Sequence, residues 1–343
     1  MRILISRTDR IGDLVLSTPV FEAIKKHLPD ASTLVMARKG TIDVISDNPF
    51  VDEYITYDPM GAHKGFSGAL ALSKTLRQKH IDIAVELFMS FYPALAVRLA
   101  GVKKIIGPGS RIYSFALLTD VIQQHRKESQ YNEAAYNLML LKPLGVNEMN
   151  IKPRVYLSDN QDSCEKFLLN QGVKPFNYFV VHPGMGGSAK NLSVEKYVTL
   201  IRAMTERYKL PVVLTGSYVD HTAVNRITAE LHDNPQVKDM CCVLSMHQLK
   251  MVLFFAKAMI GPSTGPMHIS AALGRPTVAV FSPIKAQSAT RWSPYLLRNA
   301  AVVEPEIGCT EQYTCNKKCL HYNCMDSISI EKILKKVEEL IAI

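Results

Sequence analysis

Short apolar runs alternate with amphipathic stretches along the whole chain, and their spacing predicts strands alternating with helices. The first run, 2–6, reads as a strand. A loop from Arg7 to Gly12 follows, and Asp13 opens a helix towards Leu28 that Pro19 should kink or restart. Further strands are expected over 33–37, 53–57, 81–87 and 103–107, with helices over 43–47, 70–79 and 92–100. The polar, glycine-bearing stretch 58–68 is expected to be mobile, and an apolar-faced helix over 133–144 closes this half.

A helix over 160–170 leads into a second series of the same kind. Its strands fall at 178–182, 212–215, 240–243, 258–260 and 277–281. Its helices fall at 193–208, where Ser193 can cap, then 219–232 and 246–257. Between the last two strands, Gly261-Pro-Ser-Thr-Gly-Pro-Met-His268 forms a tight turn into a short helix. Gly265 is read as N-cap, Pro266 stands at the first helical position, and Gly274 ends the helix. The chain closes on an amphipathic helix over 328–343 with Ile330, Ile333, Leu334, Val337, Leu340 and Ile341 on one stripe. This alternation predicts an α/β protein of two doubly wound parallel sheets facing a central cleft. Ligands in such folds bind beyond the carboxyl ends of the strands.

The length of 343 residues also implies two domains. The expected division is 1–155 and 156–326, with the terminal helix 327–343 packing back towards the N-terminal domain. Arg98 and Lys257 interrupt the longest apolar stretches, so no run reaches the ~20 residues of a membrane span. Arg7, Asp9, Arg10 and Asp13 break any signal-peptide core, so a cytoplasmic location is expected. The net charge of +9 is spread along the chain rather than gathered in basic blocks. That disfavours a nucleic-acid partner and suits an anionic small ligand or transient contact with an anionic membrane surface. Seven cysteines without an export signal are expected to be reduced thiols. Cys309, Cys315, Cys319 and Cys324 crowd the tail beside His321, but their separations match no common zinc knuckle. They are read as structural or incidental, far in sequence from the candidate site.

Three turns follow strands of the second half. The turn before His268 offers hydroxyls from Ser263 and Thr264 and free N–H groups at a helix start, an arrangement suited to phosphate. His182-Pro-Gly-Met-Gly-Gly-Ser-Ala-Lys190 lacks the Gly-Lys-Ser/Thr ending of a nucleoside-triphosphate loop. Gly186, Gly187 and Ser188 still allow close backbone approach to a phosphate, with Lys190 in reach. Gly216 and Asp220 follow the next strand, and an acidic residue there suits ribose hydroxyls. In the first half, Asp13 stands after the first strand at a helix start, the expected cleft-facing edge. Arg7 and Arg10 beside it are candidates for a phosphorylated acceptor. No G-x-G-x-x-G follows the first strand, and the chain has no Asp-x-Asp metal clamp, so neither a nicotinamide cofactor nor a metal is expected.

Arg2-Ile-Leu-Ile and Ile11-Gly-Asp-Leu-Val-Leu-Ser-Thr-Pro19 together resemble the opening of the heptosyltransferase-type glycosyltransferases, family 9. The likeness continues in His182-Pro-Gly through Lys190, in Gly216 through Asp220, in the turn to His268 with Arg275-Pro, and in Cys324-Met325 through Ile328. It implies a GT-B fold and a cytoplasmic, inverting, metal-independent enzyme. The implied donor is a nucleotide sugar, ADP-heptose in the best-known members, and the implied acceptor is a lipid-linked, phosphorylated lipopolysaccharide core. It also implies Asp13 as general base, Lys190 with Thr264, Gly265 and His268 at the phosphates, and Asp220 at the ribose. The best-known heptosyltransferases carry Asp where this chain has Ser263, which leaves the donor sugar open. Another nucleotide sugar, serving O-antigen, capsule or protein glycosylation, is the first alternative, and a catalytically silent nucleotide-binding protein is the second.

Overall fold

The computed structural model describes residues 1–157, 161–187, 189–316 and 318–342. They form two units, Met1–Tyr156 and Leu157–Ile343, dividing one residue beyond the position expected.

In the first unit the strands are β1 (Arg2–Arg7), β2 (Ser32–Arg38), β3 (Glu53–Tyr57), β4 (Ile83–Glu86), β5 (Lys104–Pro108) and β6 (Asp120–Ile122). They form one parallel sheet in the order β3-β2-β1-β4-β5-β6. The helices are α1 (Ile11–Val15), α2 (Thr18–His27), α3 (Gly65–Gln78), α4 (Phe91–Leu99), α5 (Ser114–Leu117) and α6 (Glu133–Met139). Leu4, Leu34, Met36, Ala84 and Ile105 of the sheet pack with Leu72, Leu76 and Val97 from α3 and α4. The helix expected from Asp13 restarts at Pro19 as read: it is two helices, the second beginning at Thr18 with Pro19 in its first turn. The stretch expected to be mobile is partly helix. Asp58 Oδ1 accepts from Gly61 N at 3.1 Å, the His63 ring accepts from Asp58 N at 2.9 Å, and α3 begins at Gly65. Strand β6 escaped the sequence reading because it is three residues long, half-buried and at the sheet edge.

The second unit repeats the plan. Its strands are β7 (Phe179–Val181), β8 (Val212–Leu214), β9 (Val237–Asp239), β10 (Ala258–Pro262), β11 (Thr277–Val280) and β12 (Ala300–Val303). They form a parallel sheet in the order β12-β11-β10-β7-β8-β9. The helices are α7 (Gln161–Asn170), α8 (Val194–Tyr208), α9 (His221–Glu230), α10 (Met246–Phe254), α11 (Gly265–Ala272), α12 (Ala289–Trp292) and α13 (Ile330–Ile341).

Three expectations shift here. The strand placed at 240–243 lies at Val237–Asp239, and Cys242 beyond it is left-handed at φ +64°. Thr264, not Gly265, caps α11, whose first residue is Gly265. The terminal helix α13 is built into this unit. Ile333, Leu334, Val337 and Leu340 are buried in the same core as Phe179, Val278 and Val303. Ser193 caps α8 as read, its side chain accepting from Lys196 N.

Each sheet reverses its winding beside its first strand, between β1 and β4 and between β7 and β10. The turns that leave the strands there open beyond the carboxyl edge, where doubly wound sheets hold ligands.

Candidate active site

In the first unit, β1 ends on Arg7, whose side chain is buried against Glu133 and Asn137 of α6. Its guanidinium gathers the polar groups of three segments. Nη2 donates to Asp13 Oδ1 at 2.6 Å and Nε to Asp9 Oδ1 at 2.7 Å. Nη1 donates to Glu133 Oε1 at 3.0 Å and Asn137 Oδ1 at 3.1 Å. Arg126 Nη1 donates to the same Glu133 oxygen at 2.6 Å. Ser17 Oγ donates to the Asp13 carbonyl at 2.7 Å, which ties the α1–α2 joint to this cluster.

Two guanidinium groups thus meet three carboxylates. Burial pushes the Asp13 carboxyl up, Asp9 adds to it, Arg7 opposes it and Glu133 adds again, leaving it at about 7. Burial works against the Arg7 charge too, but Asp9, Asp13 and Glu133 outweigh it and hold the guanidinium charged. The Asp13 side chain keeps 14% of its surface exposed. It is a carboxylate of near-neutral basicity with part of its surface open to solvent.

Arg7 was expected to meet a phosphorylated acceptor. It is buried, and its charge is turned inward onto protein carboxylates, so that expectation is corrected: Arg7 pairs with Asp9, Asp13 and Glu133. Arg10 is exposed at the start of α1. Glu86 ends β4 opposite Ser6 on β1 and is completely buried. Burial pushes its carboxyl up to about 8, which Ser6 only partly offsets.

In the second unit, the three turns read from the sequence leave neighbouring strands, β10, β7 and β8. After β7 the chain turns through Gly186 and Gly187, both exposed. Asn191 Nδ2 closes the turn by donating to Pro183 O at 2.7 Å, and Tyr197 OH donates to Asn191 Oδ1 at 2.8 Å. Ser188, expected in this turn, lies outside the described residues. Lys190 N donates to Gln287 Oε1 at 3.1 Å. The Lys190 ammonium donates to the Tyr322 carbonyl, lies 3.2 Å from Cys315 Sγ and stands 4.0 Å over the Tyr322 ring. The cysteine segment, read as far in sequence from the site, therefore reaches Lys190, the lysine expected at the diphosphate. All seven cysteines are free thiols.

After β8, Gly216 is close-packed: a Cβ there would come within 2.8 Å of Cys241 Sγ. Asp220 is 7% exposed. Its Oδ2 accepts from Ser217 Oγ at 2.6 Å and Ser217 N at 2.9 Å, while Oδ1 accepts from Met185 N at 3.1 Å and Gly186 N at 3.4 Å. The acid expected to face ribose is thus spent on the neighbouring turn. After β10, Ser263, Thr264 and Gly265 are half-buried, and His268 is buried in the first turn of α11. Burial holds both His268 and His182 down at about 4, with Asp220 opposing the effect at His182, so each imidazole is neutral near pH 7. His182 Nδ1 and Thr215 Oγ1 are hydrogen-bonded at 3.0 Å.

Sequence reasoning missed Glu133, Asn137 and Arg126. Glu133 and Asn137 stand four residues apart on a helix that otherwise buries alanine, tyrosine and leucine. A polar pair at i, i+4 on an apolar face was the available signal. Gln287 and Tyr322 gave no such signal, since each meets Lys190 only through the tertiary fold.

Two units, each a doubly wound six-stranded parallel sheet flanked by helices, make the GT-B fold of a glycosyltransferase. Residues 69–323 match glycosyltransferase family 9 (heptosyltransferase), and the chain belongs to that family. Lipopolysaccharide heptosyltransferase 2 of Escherichia coli K12 is 26% identical over 359 residues, covering 99% of each chain. Among solved structures, a family 9 glycosyl transferase from Veillonella parvula superposes with a TM-score of 0.87 at 20% identity, covering 99% of this chain and 97% of that one. The E. coli ADP-heptose LPS heptosyltransferase II superposes with a TM-score of 0.79 at 23% identity, covering 100% and 99%. The protein is an enzyme of the heptosyltransferase type, in a family that builds the lipopolysaccharide core.

Proposed function

We propose that this enzyme moves a heptose from ADP-heptose onto a phosphorylated, lipid-linked core saccharide, with inversion and without a metal. The observation that carries the reading is Asp13, a partly exposed carboxylate held at about 7 by burial and its neighbours. An acceptor hydroxyl is a poor nucleophile until its proton is taken, and a base works best with a pKa near the operating pH. Asp13 takes that proton as the hydroxyl oxygen attacks the anomeric carbon. The bond from that carbon to the donor diphosphate breaks, and its electron pair leaves with the phosphate. One displacement from the opposite face inverts the centre.

Charge on the leaving diphosphate is met by Lys190, by the N–H groups at the start of α11 around Thr264 and Gly265, and by the turn at Gly186 and Gly187. Neutral His268 can contribute an N–H. Arg10 is the exposed cation beside Asp13 and suits acceptor phosphate. The absence of an Asp-x-Asp pair from the sequence supports a metal-independent route. ADP-heptose is supported by the name of the E. coli relative. The net charge of +9 suits transient contact at the cytoplasmic face of a membrane carrying the acceptor, and among the described residues no helix is long and apolar enough to cross one.

Asp13→Asn keeps the side-chain shape and removes the base. Transfer should fall by roughly 10²–10⁴-fold with ADP binding almost intact. Near-normal transfer would place the base elsewhere. A second reading, a different nucleotide sugar on the same scaffold, is favoured by Ser263, a hydroxyl where the best-known heptosyltransferases have a carboxylate. Donor hydrolysis across a panel of nucleotide sugars, with acceptor present, separates the two.

A further inference from the structure

A carboxylate at the end of a strand in a doubly wound sheet ordinarily reads as a ribose ligand. Asp220 is placed otherwise. It caps the turn at Tyr218–Asp220, where its own Oδ2 accepts from the Ser217 backbone and hydroxyl. Its second oxygen reaches across to the turn after β7 and accepts from the Met185 and Gly186 amides. The two turns are packed so closely that a Cβ on Gly184 would lie 2.2 Å from Asp220 Cγ. Gly184 is thus bare to admit the carboxylate, and the carboxylate fixes the path of the chain into Gly186 and Gly187, which have positive φ of +52° and +71°. A carboxylate that already accepts four hydrogen bonds inside the protein has little capacity left for sugar hydroxyls.

We propose that Asp220 is a positioning residue: it sets the conformation of the Gly184–Gly187 turn, and through that turn the affinity for the donor's diphosphate, without touching the ribose. The proposal rests on the reading that this turn receives the diphosphate. It predicts that the cost of losing Asp220 follows the phosphates of the ligand and ignores its sugar hydroxyls.

Calorimetric titration of wild type and Asp220→Asn with ADP, 2′,3′-dideoxy-ADP and adenosine tests this, alongside hydrogen–deuterium exchange of the unliganded proteins. Asp220→Asn should weaken ADP on the order of ten-fold, and dideoxy-ADP by the same factor. Adenosine should change less than about two-fold, and the Met185 and Gly186 amides should exchange faster without any ligand. Ser217→Ala, an exposed and milder change that removes the 2.6 Å hydroxyl contact and the serine's half of the capping box while leaving the Asp220 carboxylate, should move every readout the same way by a smaller factor. A loss seen with ADP but abolished with dideoxy-ADP would make Asp220 a ribose ligand and overturn the proposal. So would unchanged exchange at Met185 and Gly186. If wild type binds no ADP at all, the donor assignment fails, while the exchange data still decide whether Asp220 holds the turn.

Discussion

Asp9→Asn should move the acid limb of the pH–rate profile to lower pH, although Asp9 need not touch any substrate. Asp9 and Asp13 share the Arg7 guanidinium, through contacts of 2.7 and 2.6 Å. After burial, the Asp9 charge is the largest influence raising Asp13 to about 7. A neighbouring like charge in a site of effective dielectric near 20 moves a pKa by about 1–2 units, and one unit is about 1.4 kcal/mol. The asparagine oxygen can still accept from Arg7 Nε, so the frame around Asp13 survives while the charge is lost. Taking one unit, the fraction of Asp13 in its basic form at pH 6 rises from about 9% to about 50%. A base weaker by one unit also loses about three-fold in intrinsic reactivity. The variant should therefore be roughly three-fold slower than wild type at pH 8 and up to two-fold faster at pH 6, with the profiles crossing near pH 6.5. The measurement is kcat/KM for labelled-sugar transfer at low acceptor between pH 5 and 9. An acid limb that stays in place, or moves upward, would refute the electrostatic account of Asp13.

Glu86→Gln should change stability in a pH-dependent way. Glu86 is raised from 4.5 to about 8 in the folded protein, so the folded state binds the extra proton. Its stabilisation is present below the unfolded pKa and is lost as pH rises through the folded one. The urea-unfolding stability of Glu86→Gln relative to wild type should therefore improve by roughly 4 kcal/mol between pH 5 and 9, and a flat difference would refute this. Lys190→Ala should weaken ADP while leaving adenosine binding unchanged, as seen by titration; equal losses would remove Lys190 from the diphosphate. Ser263→Asp should reorder a panel of nucleotide-sugar donors in a turnover assay more than it lowers the melting temperature. A carboxylate accepts where a hydroxyl can donate, and an unchanged ranking would mean that position does not read the sugar.

Most of the architecture was legible because every central strand is an apolar run and every long helix an amphipathic one. The strands that escaped or slipped are at sheet edges: β6 and β12 are half-buried, and β9 lay three residues before the apolar run mistaken for it. Hydrophobic pattern is weakest where a strand has a neighbour on one side only. At the candidate site, Asp13, Lys190 and the β10 turn could be singled out because local chemistry marks them: a carboxylate at a helix start, a cation after glycines, hydroxyls before a proline. What the sequence hid were the partnerships. That Arg7 faces Glu133 across 126 positions, or that Asp220 accepts from the Met185 amide, depends on which strand ends the sheet order brings side by side.

The cluster that tunes Asp13 draws its members from positions 7 to 137, all inside Met1–Tyr156. The turns proposed for the donor run from 183 to 268, all inside Leu157–Ile343. In the proposed roles, proton chemistry and donor choice thus belong to separate units of the chain. Substitutions can accumulate in the β7, β8 and β10 turns, and the nucleotide sugar can change, while no residue of the carboxylate–guanidinium cluster has to change with them. A lineage built this way can diversify the sugar it installs at little cost to the acid–base machinery that installs it, and a recombination event at the boundary would carry one capability across whole.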